Sequence, residues 1–362
     1  MPAIDAIEVV TPACLTEFDE IIDVRAPEEF AEDHIPTAIN LPVLNDAERA
    51  IVGRIYVQES RFRARQRGAA IVTRNISAHL DGFLSGRPAK FRPLIYCWRG
   101  GMRSNAMATI LAAIGWRVSV LKDGYRAWRR NVVFGLRENN DPLNVILIDG
   151  QTGTAKTALL VKLHELGLQT LDLEGAANHR GSVFGGIADE AQPSQKMFES
   201  RLWHRLASFD LEQPIFVEAE SSLIGRCSIP SRLLQSMRSA KRIEICAEPS
   251  VRANYLVGAY RDLLDSDTRL QCAISRLSPF HAKATVDEWR AMAQQGEFEQ
   301  LALALTEQHY DPLYNRQRKR RSDKPIELIT LPDLSSATLD RTATNIKNSL
   351  DAMSLASSTP RP

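Results

Sequence analysis

The sequence predicts an α/β protein with two domains, each built on a parallel β-sheet. Short apolar runs alternate with amphipathic helical segments, which is the pattern of a parallel sheet covered by helices. Two of the apolar runs lead into glycine-containing loops that are followed at once by a helix. The polar, turn-forming stretch 139–142 separates the two halves. We therefore predict domains at 1–138 and 139–335, and a C-terminal helix with a disordered tail at 336–362.

Composition restricts the class of protein. With 362 residues, 44% of them apolar and 25% charged, the chain resembles a soluble globular protein of about two domains. A net charge of +1 provides no overall field for nucleic acid, so RNA contacts would need local patches. The five cysteines form no CxxC pair, which argues against a zinc site or a disulfide framework. No apolar run approaches the ~18 residues of a membrane span, and we expect a cytoplasmic protein.

The first half contains the elements of one sheet. Residues 34–42 should run extended because Pro36 and Pro42 disfavour helix. Residues 46–82 are charged and helical in pattern. Strands are predicted at 20–25, 93–96 and 117–121.

A cysteine-headed loop between a strand and a helix is the main chemical feature of this half. It comprises Cys97, Trp98, Arg99, Gly100, Gly101, Met102, Arg103 and Ser104. Backbone N–H groups and the helix N-terminus would surround an anion here and lower the pKa of the thiol. Arg103 would present a two-pronged fork to a tetrahedral oxyanion. The alternative is a buried cysteine beside a glycine turn.

The second half opens with a P-loop arrangement. The strand 144–149 runs into Gly150, Gly153, Thr154, Lys156 and Thr157, and a helix follows. In such loops the N–H groups hold phosphates, the lysine reaches their outer oxygens, and the threonine can hold Mg²⁺. Ala155 replaces the usual glycine, and we expect a negative φ there, which alanine tolerates. The alternative is a plain strand–turn–helix.

Three further features of this half bear on function. Glu218 ends an apolar run and is placed to join Thr157 at Mg²⁺, unless it is simply a solvated acid. His179 and Arg180 lie in a polar, basic loop. A basic run contains Arg316, Arg318, Lys319, Arg320 and Arg321; it is either a solvated surface or a nucleic-acid contact.

The first half resembles a rhodanese domain. The resemblance rests on Asp-Val-Arg at 23–25, His-Ile-Pro-Thr-Ala-Ile-Asn at 34–40, the cysteine loop, and Gly-Tyr-Arg-Ala-Trp-Arg at 124–129. Both glycines of the family's usual GHIPGA motif are replaced. The Cys-x5-Arg loop is one residue longer than in the family's thiosulfate sulfurtransferases, and it resembles the phosphatase-like members that hold a phosphate-sized group.

Further motifs resemble the bacterial tRNA 2-selenouridine synthase family over roughly residues 15 to 330. They are Asn-Asp-Ala-Glu-Arg at 45–49, the cysteine loop, Leu-Glu-Gly-Ala-Ala-Asn-His-Arg-Gly-Ser at 173–182, Val-Glu-Ala-Glu-Ser at 217–221 and His-Tyr-Asp-Pro-Leu-Tyr at 309–314. The resemblance implies that selenium replaces sulfur in wobble 2-thiouridine of tRNA. It implies selenophosphate as donor, supplied by a selenophosphate-producing enzyme, and prior S-geranylation with geranyl diphosphate. It implies no tightly bound cofactor; Mg²⁺ would be held through Thr157 and Glu218.

The chemistry of the candidate residues, taken together with this resemblance, assigns roles to them. Cys97 and Arg103 would be catalytic, and the other loop residues 98–102 and Ser104 would hold selenophosphate. Diphosphate would be bound by Gly150, Gly153, Thr154, Lys156, Thr157, His179, Arg180 and Glu218, and tRNA by the basic run 316–321. A covalent Cys97–selenium intermediate is the favoured form of the second step.

Two alternatives belong to other classes. One is a sulfurtransferase or Cys-x5-Arg phosphatase fused to an NTPase, although Tyr96 stands where such phosphatases usually have histidine. The other is a non-catalytic RNA-binding protein that uses the basic run.

Overall fold

The structure is a computed structural model that describes residues 4–186, 191–319 and 324–358. It confirms the predicted α/β class with two parallel sheets. The chain forms two units, one comprising the chain up to Asn139 together with Pro193–Ser208, the other Asn140–Gln192 together with the chain from Phe209 onward. The long segment of the first unit ends at Asn139, and this unit also contains Pro193–Ser208, which lies within the predicted second domain, 139–335.

The first unit contains a five-stranded parallel sheet with helices around it. Its strands are β1 (Asp5–Ile7), β2 (Glu20–Asp23), β3 (Ile39–Asn40), β4 (Pro93–Tyr96) and β5 (Ser119–Leu121), in the order β1-β5-β4-β2-β3. Its helices are α1 (Pro12–Leu15), α2 (Pro27–Glu32), α3 (Asp46–Gln58), α4 (Arg61–Asp81), α5 (Met102–Ile114) and α6 (Tyr125–Val133), the last continued by a π-helical turn at Phe134–Glu138. Strand β4 is central, so the loop that follows it lies at the middle of the sheet's carboxyl edge.

The second unit repeats this architecture. Its strands are β6 (Val145–Gly150), β7 (Gln169–Leu171), β8 (Ile215–Glu218), the antiparallel pair β9 (Leu223–Ile224) and β10 (Cys227–Ser228), β11 (Lys241–Cys246) and β12 (Glu327–Thr330). The parallel sheet has the order β12-β11-β6-β8-β7, which again places the strand before the glycine-rich loop at the centre.

Helices of the second half are numbered in chain order from α7 to α17. They are α7 (Lys156–Glu165), α8 (Leu173–Ala177), α9 (Gln195–Leu206), α10 (Ser231–Ser239), α11 (Pro249–Ala259), α12 (Arg261–Leu264), α13 (Asp267–Ser275), α14 (Lys283–Gln295), α15 (Phe298–Leu305), α16 (Asp311–Lys319) and α17 (Ser336–Ser358). A 3-10 turn at Ser278–Phe280 precedes α14, and a π-helical turn at Thr306–Tyr310 joins α15 to α16.

Helix α9 belongs to the first unit because its buried face packs there. The indole N–H of Trp128 donates to Ser200 Oγ at 3.1 Å. Glu199 is fully buried and accepts from both Arg129 and Arg137, so its charge is compensated within the same unit. The partners are more than sixty residues apart in sequence, and the local pattern of α9 does not identify them.

Helix α17 begins at Ser336 and forms part of the core of the second unit. Leu339, Ala343 and Ile346 are buried against the cluster that contains Ile148 and Phe216. The helix predicted after residue 335 runs to Ser358, and the end of the predicted tail, residues 359–362, lies outside the described part of the chain. Among the described residues, the helices are all too short or too polar to cross a bilayer.

Candidate active sites

Cys97 lies in the loop between β4 and α5, at the carboxyl edge of the first sheet. Its side chain is 3% exposed. The backbone N–H of Gly101 donates to Cys97 Sγ at 3.3 Å, and Ser104 Oγ lies 3.3 Å from the same sulfur. The thiol is thus surrounded by hydrogen-bond donors, as the sequence predicted.

The hydrogen-bond donors around Cys97 determine the direction in which the pKa of its thiol shifts. Burial alone would raise the pKa of the Cys97 thiol, because a charged sulfur loses its hydration. The Ser104 hydroxyl and the N–H groups of Ser104, Arg99 and Gly101 outweigh that effect, and the pKa lies below its ordinary value. The loop therefore favours the nucleophilic thiolate.

Replacing Ser104 by alanine should move the pH midpoint of Cys97 alkylation upward, since a donor to the thiolate is lost. We expect alkylation near neutral pH to slow by roughly tenfold, equivalent to about 1.4 kcal/mol. The pH dependence of labelling by a small haloacetamide measures this. Thr109→Ala is the matched control, because the Thr109 hydroxyl bonds to Asn105 O on the same helix. An unchanged midpoint in Ser104→Ala would contradict the role of the hydroxyl.

The Gly-Tyr-Arg segment after β5 holds the cysteine loop in place. The N–H of Tyr125 donates to Cys97 O at 2.8 Å, and that of Arg126 to Trp98 O at 3.2 Å. Gly124 has φ +56°, and a Cβ atom there would lie 2.1 Å from Cys97 O. The closeness of the two chains therefore requires glycine.

Arg103 pairs with a carboxylate of the same unit. Its Nη1 donates to Glu29 Oε2 at 2.8 Å, and Arg49 Nε lies 3.1 Å from the same oxygen. Burial would raise the pKa of Glu29, but the hydrogen bond and charge of Arg103 lower it below its ordinary value. Arg103 is thus part of an ion-pair network, in which Nη1 is the nitrogen that binds Glu29.

The remaining loop residues differ in exposure. Trp98, Arg99 and Met102 are exposed, Gly100 and Gly101 are half-buried, and Ser104 is buried. The Trp98 ring lies against Tyr125, with ring centroids 5.2 Å apart. The loop therefore presents an exposed rim above a buried thiol.

The second site is a cavity of about 510 Å³ at the carboxyl edge of the second sheet. Of the predicted diphosphate ligands, its described walls include Gly150, Gly153, Thr154, Lys156, Thr157 and Arg180. Lys156 Nζ donates to Gly150 O at 3.0 Å, so the ammonium lies over the loop. The arrangement of strand, loop and helix is that of a phosphate-binding loop.

Ala155 does not have the negative φ that we expected. It has φ +58° and ψ 32°, in the left-handed region, directly before α7. The loop must reverse here to begin the helix, and glycine is the residue that does so without a steric penalty. The alanine consequently carries backbone strain.

Ala155→Gly should raise the free energy of unfolding by about 1 kcal/mol, because glycine removes the clash of Cβ in the left-handed region. Chemical denaturation measures the change. Ala158→Gly, within the regular part of α7, is the matched control, and it should lower stability by about 1 kcal/mol. Destabilisation by both substitutions would show that position 155 is not strained.

Two glutamates contact Thr157 on the P-loop helix, and a third, Glu220, lies on the cavity wall. Thr157 Oγ1 lies 3.1 Å from Glu174 Oε2 and 3.0 Å from Glu218 Oε2. The hydroxyl has a single proton, so it donates to one carboxyl and accepts from the other, which is protonated. Glu218 is fully buried and also accepts from the N–H of Glu174. Burial, and next the charge of Glu174, hold the pKa of Glu218 well above its ordinary value. Burial and the charge of Glu220 raise the pKa of Glu174 to about 7.

Glu174 and Glu220 were not among the predicted site residues. Glu174 and Glu220 lie on the cavity wall, whereas Glu218 lies behind Thr157. The spacing of Glu218 and Glu220 puts both on one side of an extended chain, which is the signal that could have found the second. Oxygen donors of this kind suit Mg²⁺, which would displace the protons of the carboxyls. The described residues contain no preformed cluster of three or more metal-ligating side chains, and magnesium binding stays a prediction.

Arg180 and His179 are neighbours in sequence, but they differ in their position relative to the cavity. Arg180 lies on the cavity wall, paired with Asp262 at 2.8 Å and with its guanidinium 4.9 Å from the Tyr260 ring centre. His179 lies off the described wall, and its Nδ1 is buried without a hydrogen-bond partner among the described residues. Its assignment to diphosphate stays a prediction.

Arg252 is a further residue that the sequence analysis missed. It is 1% exposed, and its Nη1 donates to Thr152 O in the P-loop at 3.1 Å. Both of its terminal nitrogens also bind the Asp311 carboxylate, at 2.9 and 2.7 Å. This pair connects the P-loop backbone to the start of α16 and explains the aspartate of the His-Tyr-Asp-Pro-Leu-Tyr motif.

The basic run is described up to Lys319. Arg316, Arg318 and Lys319 are exposed at the end of α16, and Arg318 Nη2 lies 3.1 Å from the buried Glu244 carboxylate. Part of the Arg318 charge is therefore compensated by the protein itself. Arg320 and Arg321 lie outside the described residues.

Comparison with known proteins matches both halves of the chain. A Rhodanese-like domain model matches residues 13–131, and a tRNA 2-selenouridine synthase AAA domain model matches residues 143–275. A tRNA 2-selenouridine synthase of Sulfurovum sp. is 32% identical over 84% of this chain and 90% of its own. Another, of Verminephrobacter eiseniae, is 33% identical over 86% of this chain and 92% of its own.

The chain belongs to the tRNA 2-selenouridine synthase family. The resemblance noted from the motifs is confirmed, and so is the pairing of a rhodanese-like with a P-loop unit. A further relative of this name, from Marinobacter nauticus, is 35% identical over 249 residues, which is 66% of either chain.

Proposed function

We propose that the protein is a tRNA 2-selenouridine synthase, a transferase that replaces the sulfur of wobble 2-thiouridine by selenium. The observation that carries this proposal is the alignment with synthases of the family across both site-bearing units. Its substrates are tRNA with wobble 2-thiouridine, geranyl diphosphate and selenophosphate. Selenophosphate comes from a separate selenophosphate-producing enzyme.

The first step takes place at the P-loop cavity. The thiocarbonyl sulfur attacks the allylic carbon of geranyl diphosphate, the carbon–oxygen bond breaks, and diphosphate leaves while the base loses its N3 proton. Lys156 and Arg180 lie on the cavity wall, where they neutralise the charge that develops on the diphosphate. Alkylation is useful because a thiol leaves more readily from the base than the thiocarbonyl sulfur does.

The second step takes place at Cys97. Selenium attacks C2 of the alkylated base, geranyl thiol leaves, and the phosphorus–selenium bond breaks with phosphorus ending as phosphate. Selenium is at the selenide level in both donor and product, so a Cys97–selenium bond would need an oxidant. We therefore revise the covalent intermediate: the Cys97 loop binds selenophosphate, and its thiolate attacks phosphorus, forming a sulfur–phosphorus bond as the phosphorus–selenium bond breaks. Water then hydrolyses the S-phosphocysteine to phosphate and the free thiol.

Mass spectrometry of tRNA nucleosides tests the overall reaction. The protein is incubated with 2-thiouridine tRNA, geranyl diphosphate and selenophosphate, and the wobble nucleoside should convert to 2-selenouridine. Omission of geranyl diphosphate is the control and should leave thiouridine. No conversion by protein shown to bind the tRNA would overturn the proposal and favour the phosphatase and NTPase alternative.

We further propose that the basic run contacts the tRNA backbone. Arg316 and Lys319 are exposed and contribute more than Arg318, which is paired with Glu244. Neutralising Arg316 and Lys319 should weaken tRNA binding at low salt and reduce the salt slope by about 1.4 for the pair. Neutralising Arg61 and Arg65, exposed on α4, is the control. An unchanged slope in the first variant would place the RNA contact elsewhere.

A further inference from the structure

A second, apolar cavity adjoins the phosphate-binding cavity within the same unit. Its volume is about 60 Å³, room for about four to six water-sized spheres. The two cavities share the wall residues Thr152, Ser182, Leu256, Tyr260 and Tyr310. A ligand held by the P-loop could therefore extend directly into the apolar cavity.

The far wall of this cavity is hydrocarbon and aromatic. Its apolar side chains come from α11, α12, α13 and α15, and include Leu256, Leu263, Leu270, Phe298, Leu301 and Leu305. An unfilled apolar cavity costs stability because its lining lacks packing partners. An apolar cavity next to a phosphate-binding loop is typical of a site for a ligand that has one apolar and one charged end.

At the junction of the two cavities, the lining changes from the polar P-loop to apolar side chains. Gly153 in the P-loop has φ +85°, and a Cβ atom there would lie 3.0 Å from Leu256 Cγ. The loop backbone is thus in contact with the apolar wall. On the same junction, the buried Tyr310 side chain lies beside Ser182, and the two hydroxyl groups are polar groups that suit a ligand's head group.

We propose that the apolar cavity binds the hydrocarbon chain of the allylic diphosphate, with the P-loop holding its head group. This inference rests on the proposed function and adds the residues that select the chain. The small volume favours a short isoprenoid chain. Phe298 and Ala302, both on α15 and both lining the cavity, determine how long a chain fits.

Chain-length preference tests this assignment. Transfer from dimethylallyl, geranyl and farnesyl diphosphate is measured as kcat/KM with thiouridine tRNA. Ala302→Phe fills the cavity and should lower kcat/KM for geranyl diphosphate by about 10- to 100-fold relative to dimethylallyl diphosphate. Phe298→Ala enlarges it and should raise the farnesyl-to-geranyl ratio by about tenfold. Ala291→Phe and Phe280→Ala, at positions outside the described lining, are the matched controls and should leave the ratios unchanged.

Binding of inorganic diphosphate shows whether each variant is folded. Ala302→Phe and Phe298→Ala should both bind it with the affinity of the wild type. Calorimetry on the wild-type protein adds a measurement that needs no substitution. Geranyl diphosphate should bind with a more negative heat-capacity change than inorganic diphosphate, because apolar surface is buried. Equal heat-capacity changes, or unchanged ratios in variants that bind diphosphate, would overturn the inference. Absence of prenyl transfer from any donor by the wild type would instead refute the proposed function.

Discussion

Replacing Cys97 by serine should abolish formation of 2-selenouridine while S-geranylation proceeds at the wild-type rate. Serine is nearly isosteric, but its hydroxyl does not ionise in the hydrogen-bonded position that stabilises the thiolate. We expect a loss of at least about 10³-fold in selenium transfer. The geranylated nucleoside should accumulate, and mass spectrometry of tRNA digests quantifies it.

Cys272→Ser is the control for this substitution, because Cys272 is exposed and lies in the other unit. Loss of geranylation as well as selenation in Cys97→Ser would contradict the division of the two steps between two sites. The intact mass of wild-type protein treated with selenophosphate alone tests the intermediate. A selenium isotope pattern on Cys97 would show that the sulfur–selenium bond forms after all.

Replacing Lys156 by alanine should abolish geranylation. The ammonium group lies over the loop, at hydrogen-bond distance from two loop carbonyls, and a bound diphosphate would replace those weak partners by a full negative charge. We expect geranyl transfer to fall by about 10²- to 10³-fold. Affinity for inorganic diphosphate should fall with it, and both quantities can be measured on the same preparation.

Lys162→Ala on the same helix is the matched control. Its ammonium pairs with Glu165 and Asp340, both at 3.1 Å, and lies off the described cavity wall. It should leave geranyl transfer unchanged. Normal geranyl transfer by Lys156→Ala would remove the P-loop from the mechanism.

Local pattern was sufficient to predict the position of both site loops. Each follows an apolar run, and a fully buried run of this kind predicts a central strand of a parallel sheet. Gly296 likewise ends α14 in the left-handed region with φ +73°, a conformation that glycine adopts readily after a helix. These features depend on neighbouring residues, which is why a single sequence reveals them.

Features that depend on distant partners were missed. Glu29 lies 74 positions from Arg103, and Asp311 lies 59 from Arg252, so no local pattern pairs them. The conformation of Ala155 was wrongly predicted because the usual helical φ was applied to a residue that reverses the chain before the helix. Glu174 was not recognised because its contact with Thr157 depends on the short helix α8, which brings the two side chains together.

The central claim is that alkylation and selenium transfer use separate sites, and one measurement tests it most directly. Lys156→Ala protein is supplied with tRNA that already carries S-geranyl-2-thiouridine, together with selenophosphate. Formation of 2-selenouridine at the wild-type rate is the predicted result, because the Cys97 loop is unaltered. Failure of this variant to convert geranylated tRNA, when it binds that tRNA normally, would contradict the two-site account.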